Sequence, residues 1–116
     1  MRYMMLIYTP EASIARPGSP EFGEMMAGYN AFGEEAGRRA SIETGAPLMP
    51  TALARTVRVR DGKTLHADGP FAETKEQLGG FYIIDAKDEA TALDLASKIP
   101  GAKVGSIEVR PVMEMS

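Results

Sequence analysis

The sequence predicts an α+β domain of ferredoxin-like order, βαββαβ with an inserted β-hairpin, in which two helices cover one face of an antiparallel sheet. Three observations carry this. Short apolar runs bounded by turn residues open the chain at 2–8 and recur at 80–85. Two segments, about 20–44 and 88–98, place apolar residues three and four apart, the period of one helix face. Two alternating segments meet at Asp61-Gly62, the preferred chemistry of a two-residue hairpin turn.

Each element follows from its residues. Arg-Tyr-Met-Met-Leu-Ile-Tyr at 2–8 is too short for a helix and is stopped by Thr9-Pro10. Pro10, Pro17 and Gly18 make 10–19 a loop. Ser19-Pro20-Glu21 is a helix start: serine caps free amides, proline fits the first turn, and glutamate favours the positive end of the dipole. Phe22, Met25, Met26, Tyr29, Phe32, Ala36 and Ala40 then form one apolar stripe, to be ended by Gly45 and Pro47. Gly23, Gly28, Gly33 and Gly37 oppose this helix at about 1 kcal/mol each, which close packing on the sheet would offset. An irregular edge strand interrupted by Pro50 is expected at 48–54. Thr56–Arg60 and Lys63–His66 form the hairpin, and Asp68-Gly69-Pro70 ends it. After the strand at 80–85, the second helix turns Ala92, Leu93, Ala96 and Ile99 inward and stops at Pro100-Gly101. The last strand is expected at 105–110.

Two helices cover one sheet face only. Yet the runs at 2–8 and 80–85 are apolar on both alternating faces: Tyr3, Met5 and Ile7 on one side of the first, Met4, Leu6 and Tyr8 on the other. A contiguous apolar patch on the reverse face is an association surface. The expectation is a homodimer through that face, with twofold symmetry. The alternative is that the hairpin or Val112–Met115 folds across its own sheet.

Composition narrows the function classes. A chain of 116 residues supports a single core, so residues 1–116 are one domain. With 13 basic and 16 acidic residues the net charge is −3, against direct binding of nucleic acid, which needs a basic face. There is no cysteine and one histidine, which leaves no ligand set for a transition metal, and no cofactor is expected. No dinucleotide fingerprint, phosphate loop or serine-nucleophile elbow is present. The apolar N-terminus is too short for a signal peptide or a membrane span, so no membrane association and a cytoplasmic location are expected.

Asp68-Gly-Pro-Phe-Ala-Glu-Thr-Lys-Glu-Gln-Leu-Gly-Gly-Phe-Tyr-Ile83 resembles the signature of the DGPF branch of the YCII-related proteins. The strand at 1–8, the Thr56–Lys63 hairpin and Ile107–Glu114 match the branch as well, so the resemblance spans the chain. It implies a dimeric α+β barrel built on a ferredoxin-like protomer. It also implies a largely uncharacterised group whose genes often lie beside those of extracytoplasmic-function sigma factors. Other members of the wider family carry a proposed His–Asp pair, with the histidine on the first helix, and one type eliminates chloride from a muconate-like acid. Residues 20–44 hold no histidine, so neither that pair nor its chemistry is carried over.

The candidate residues have two readings each. Asp68 is a base or polar anchor at a pocket mouth, or part of a turn in which it bonds the backbone, Gly69 is extended before Pro70 and Phe71 enters the core. In the polar run 73–77, Lys75 and Gln77, with Glu76 beside them, face a polar or anionic ligand while Glu73 or Glu76 handles a proton; otherwise the run is a solvated loop. His66, whose unperturbed pKa is near neutral, falls two residues before Asp68 and on the same strand face, as a His66–Asp68 pair or as a surface residue. Tyr82 and Arg110 orient or clamp a ligand between sheets, or are core and edge residues. Arg55, Arg58 and Arg60 form a basic stripe, read as a wet face. The missing helix histidine favours a protein that binds a small polar or anionic molecule, accessory to a sigma-factor system. The alternative is a cofactor-independent enzyme for proton transfer or elimination on a small acid, using Asp68, His66 or Glu73.

Overall fold

In a computed structural model, which describes residues 1–115, the order is β1 (Arg2–Thr9), α1 (Pro20–Arg39), β2 (Ser41–Pro47), β3 (Arg55–Arg60), β4 (Lys63–Asp68), β5 (Gln77–Asp85), α2 (Glu89–Ala96) and β6 (Ser106–Pro111). Short 3₁₀ turns lie at Glu11–Ser13, Thr51–Leu53 and Pro100–Lys103. The two doubly apolar runs become the two central strands of an antiparallel sheet ordered β2-β5-β1-β6. This is the ferredoxin-like arrangement, with β3 and β4 inserted as a separate hairpin.

Register divides the sheet faces. Tyr3, Met5 and Ile7 of β1 lie opposite Ile84, Tyr82 and Gly80 of β5 and face the helices. Tyr3, Met5, Ile7 and Ile84 join Phe32 and Ala36 of α1, Ala92, Leu95 and Ala96 of α2, and Ile99 in one core. Met4, Leu6 and Tyr8 point the other way, beside Ile83, Phe81 and Leu78, and all six are half-buried. No helix lies over them, and Met113 and Met115 at the tail are exposed. The reverse face is therefore apolar along its middle. One end is closed by Arg2, which donates to Glu43 at 2.9 Å and to Glu114 at 2.8 Å.

The start of α1 is as expected. Ser19 Oγ accepts from the Phe22 amide at 3.1 Å, and Pro20 occupies the first turn. Its end is not. The helix stops at Arg39, and residues 41–47 form the edge strand that was expected at 48–54. The β-branched Ile42 and Thr44 pair with Ile84 and Ile83 of β5, so a central strand recruits them out of the helix. Gly45 and Pro47 sit inside β2 instead of ending α1, while 48–54 is loop. In α2, Leu93 is exposed and Leu95 is buried, a shift of the inward stripe.

The helix glycines have different reasons. A Cβ at Gly28 would stand 2.9 Å from Cγ of Pro100, so the close approach is real there. Nothing lies within 4 Å of a Cβ at Gly33 or Gly37. Gly33→Ala and Gly37→Ala are each expected to stabilise the fold by ~0.5–1 kcal/mol. The check is a higher urea midpoint at unchanged slope.

The hairpin turn follows the expected chemistry, with Asp61 at φ 52° and Gly62 at φ 74°. Beyond its own pairing the hairpin stands away from the body, and the molecule measures 48 × 45 × 19 Å. Its radius of gyration is 16.1 Å, against about 13 Å for a compact chain of this length. The chain exposes 8069 Å², about 1,900 Å² more than the about 6,200 Å² expected for a compact monomer of its mass.

Candidate functional site

The apolar stripe of α1 reads as core throughout, yet only Phe32 and Ala36 are buried. In the N-terminal half of the helix Phe22, Met25 and Tyr29 are only half-buried. Beneath it the strands carry few side chains: Gly45 in β2, and Gly79 and Gly80 in β5. The β1–β5 register also slips between Ile7 and Tyr8, a bulge at this same place. The result is a cleft of about 890 Å³ between α1 and the sheet. Met25, Met26 and Tyr29 form its helical wall, and Leu48 and Met49 face them from the loop after β2. Ile7, Gly80 and Tyr82 form the sheet side.

Tyr82 is the organising residue. Its ring lies across Gly45, where a Cβ would come within 2.5 Å of it, and it stacks at 5.0 Å on Phe32. Burial raises the pKa of Tyr29, and burial together with Tyr29 raises that of Tyr82. Both phenols are therefore protonated at neutral pH. Neither hydroxyl has a hydrogen-bond partner among the described residues, neither is fully buried, and both residues line the cleft.

The mouth is laced by a loop-to-loop bond. Glu11 Oε1 accepts from the Thr51 amide at 2.8 Å, which holds the Glu11 carboxyl below its ordinary pKa. Asp88 is depressed likewise by the Thr91 amide it caps, Asp94 by Arg39, and Glu114 by Arg2. A depressed carboxylate contributes stability above its unfolded pKa, and that contribution is lost as pH falls through the folded value. The melting temperature is thus expected to fall modestly as the pH drops below about 4, with Asp88→Asn, which keeps a cap, flattening the slope in a pH series of thermal melts.

Glu73, Lys75 and Gln77 meet around a polar hollow of about 280 Å³ that shares Glu11 and Gln77 with the cleft mouth. Gln77 is already engaged: its amide donates to the Thr74 carbonyl at 3.0 Å and the Ala72 carbonyl at 3.3 Å, shaping the loop. Glu76 turns to the reverse edge, accepting from Ser106 Oγ at 2.8 Å. Arg110 is exposed opposite Met4 on the reverse face, so Tyr82 and Arg110 lie on opposite sides of the sheet. His66 and Asp68 sit on the hairpin, both exposed, and Asp68 meets Arg55 at 3.2 Å with both side chains in solvent. The expected His66, Asp68 and Glu73 thus do not share one site. The basic stripe divides too, Arg55 on the Val57 face of β3 and Arg58 and Arg60 on the other.

The Asp68–Phe71 turn differs from the structural reading. Gly69 adopts φ 91°, the left-handed region, rather than an extended shape. Its amide donates to the Ala54 carbonyl at 2.7 Å, and Thr56 Oγ1 donates to the Gly69 carbonyl at 2.8 Å. Phe71 is 80% exposed and enters no core of its own chain. Tyr29, Met25 and Met26 were legible as an apolar stripe. The missed signal was the glycines at 45, 79 and 80 facing it.

Among the described residues no cluster of three or more His, Asp or Glu side chains stands ready for a metal ion, and no helix is long and apolar enough to cross a membrane. The family model of the YCII-related domain matches residues 1–116. An uncharacterised protein of Rhizobium meliloti (strain 1021) is 39% identical over 114 residues, covering 97% of this chain and 92% of that one.

Proposed function

The chain belongs to the YCII-related family, and on that premise we propose that it is a homodimeric binding protein for a small molecule with an apolar body and one hydrogen-bonding tip. The observation that carries this is the 890 Å³ cleft with two partnerless phenols in its wall. Its volume suits a small-molecule site, and apolar walls with few polar groups are the usual composition of one. This shifts the ligand away from the polar or anionic molecule expected from residues 73–77. Those residues line only the shallow hollow at the mouth. The Tyr29 and Tyr82 hydroxyls would hold the ligand's oxygen, each as a neutral donor.

The dimer forms through the reverse face. The six half-buried apolar side chains there and the excess of exposed area both support it. An excess of about 1,900 Å² per chain is what an obligate dimer hides on each partner. The Asp68-Gly69-Pro70-Phe71 run supports our reading of the chain as a member of the DGPF branch of the family. Proton transfer by Asp68 or His66 has no geometric support, since both are exposed on the hairpin.

The test is a thermal-shift titration with octanoate, 1-octanol and 4-propylphenol. At least one is expected to raise the melting temperature. Met25→Trp, which fills the cleft, should abolish the shift. Tyr82→Phe should weaken binding ~3–10-fold, the worth of one hydrogen bond. No shift for any of the three, or a shift that survives Met25→Trp, overturns the cleft as the site.

A further inference from the structure

The hairpin of β3 and β4 is an arm without a bed. Among the described residues its strands pair with each other, and neither the helices nor the four-stranded sheet makes more than marginal contact with them. An isolated two-stranded hairpin is marginal in water, because one ladder of hydrogen bonds does not offset the ordering of both strands. The apolar residues that would anchor it are in solvent: Val57 and Val59 are each 61% exposed. They share one face of the arm, opposite His66 and Thr64. Phe71, just past its base, is 80% exposed.

We propose that the arm is an intersubunit clasp: in the dimer, each arm lays its Val57–Val59 face on the body of the second copy. This rests on the sheet-to-sheet dimer proposed above. Two observations select a second copy of this chain as the occupant. The first is area. Four strands of 6 to 9 residues, spaced about 4.8 Å and averaging about 25 Å in length, present a flat face of about 500 Å². That falls well short of the excess of about 1,900 Å², and the arm adds further exposed apolar surface at Val57, Val59 and Leu65. The second is charge. Residues 55–68 carry four basic and two acidic side chains in a chain whose net charge is −3, so the arm is positive and the rest of the molecule negative. Such an arm is attracted to another copy of the same body. Twofold symmetry doubles every contact it makes.

The experiment compares the wild type, Val57→Asp/Val59→Asp and the sheet-face variant Leu6→Glu by sedimentation and amide hydrogen exchange. Because the arm supports no other part of its own chain, the double substitution should leave the far-UV spectrum of the body intact. The expected result is a dimer dissociation constant at least ~100-fold weaker in the double variant, from two buried valines lost on each copy. The amides of β3 and β4 should be protected in the wild-type dimer and exchange freely in monomeric Leu6→Glu. Val57→Thr/Val59→Thr, which keeps the β-branched strand preference, should show the same direction with a smaller effect. A wild-type dimer of unchanged affinity in both valine variants, with arm amides unprotected, overturns the clasp and leaves the sheet dimer standing. Arm amides equally protected in monomeric Leu6→Glu also overturn it, since the arm would then lie on its own body. Arm protection that needs added duplex DNA overturns it in favour of a nucleic-acid arm. A wild-type monomer overturns clasp and sheet dimer together.

Discussion

Leu6→Glu is expected to convert a species of twice 12.5 kDa into one of 12.5 kDa in sedimentation at micromolar concentration. Leu6 lies at the middle of the reverse face, on a central strand, opposite Phe81 on one side and Glu108 on the other. In the monomer it is half-buried and no helix covers it, so glutamate there costs the fold less than about 1 kcal/mol of strand propensity. In a face-to-face dimer the same carboxylate enters an apolar layer twice, with Glu108 directly across from it and Arg110 only diagonal to it. Leaving a charge buried and unpaired costs several kcal/mol, which is more than a hundredfold in dissociation constant for each copy. Glu108 across β6 adds like-charge repulsion. A variant that keeps the wild-type mass in sedimentation would show that the reverse face is not the interface.

Phe32→Ala is expected to lower unfolding stability by ~3–5 kcal/mol, the cost of an emptied aromatic site in a core. Phe32 is 2% exposed and is one of the largest fully enclosed side chains. It also backs the ring of Tyr82 at 5.0 Å, so its loss lets that ring drop away from the cleft. Stability and ligand affinity should therefore fall together, whereas Tyr82→Phe affects affinity alone. Urea unfolding at one fixed protein concentration measures the first effect, because association makes stability depend on concentration. A loss below about 1 kcal/mol would mean that the cavity collapses or that Phe32 is not a keystone.

Local chemistry was legible wherever local chemistry decided the outcome. Ser19-Pro20 starts α1 and Asp61-Gly62 turns the hairpin, each through bonds or backbone angles within a few residues. Alternation along 2–8 and 80–85 marked the central strands and the doubly apolar sheet, because side-chain direction in a strand follows from spacing alone. The sheet face left without a helix then followed from the ferredoxin-like order, while register and its bulges came from the folded pairing.

What lay beyond local chemistry was decided by distant partners. Residues 41–47 have mixed propensity and became strand because β5 offered them backbone groups from across the sheet. Phe22 to Tyr29 have the spacing of a core stripe, and only the glycines at 45, 79 and 80, brought beneath them by the fold, left a cleft in place of a core. Asp68, His66 and Glu73 are close in sequence yet separated in space, because the arm carries the first two away from the body. Periodicity thus determined the elements and the sheet with two apolar faces. Tertiary packing alone decided which apolar surfaces touch, because burial depends on what the rest of the chain places opposite each side chain.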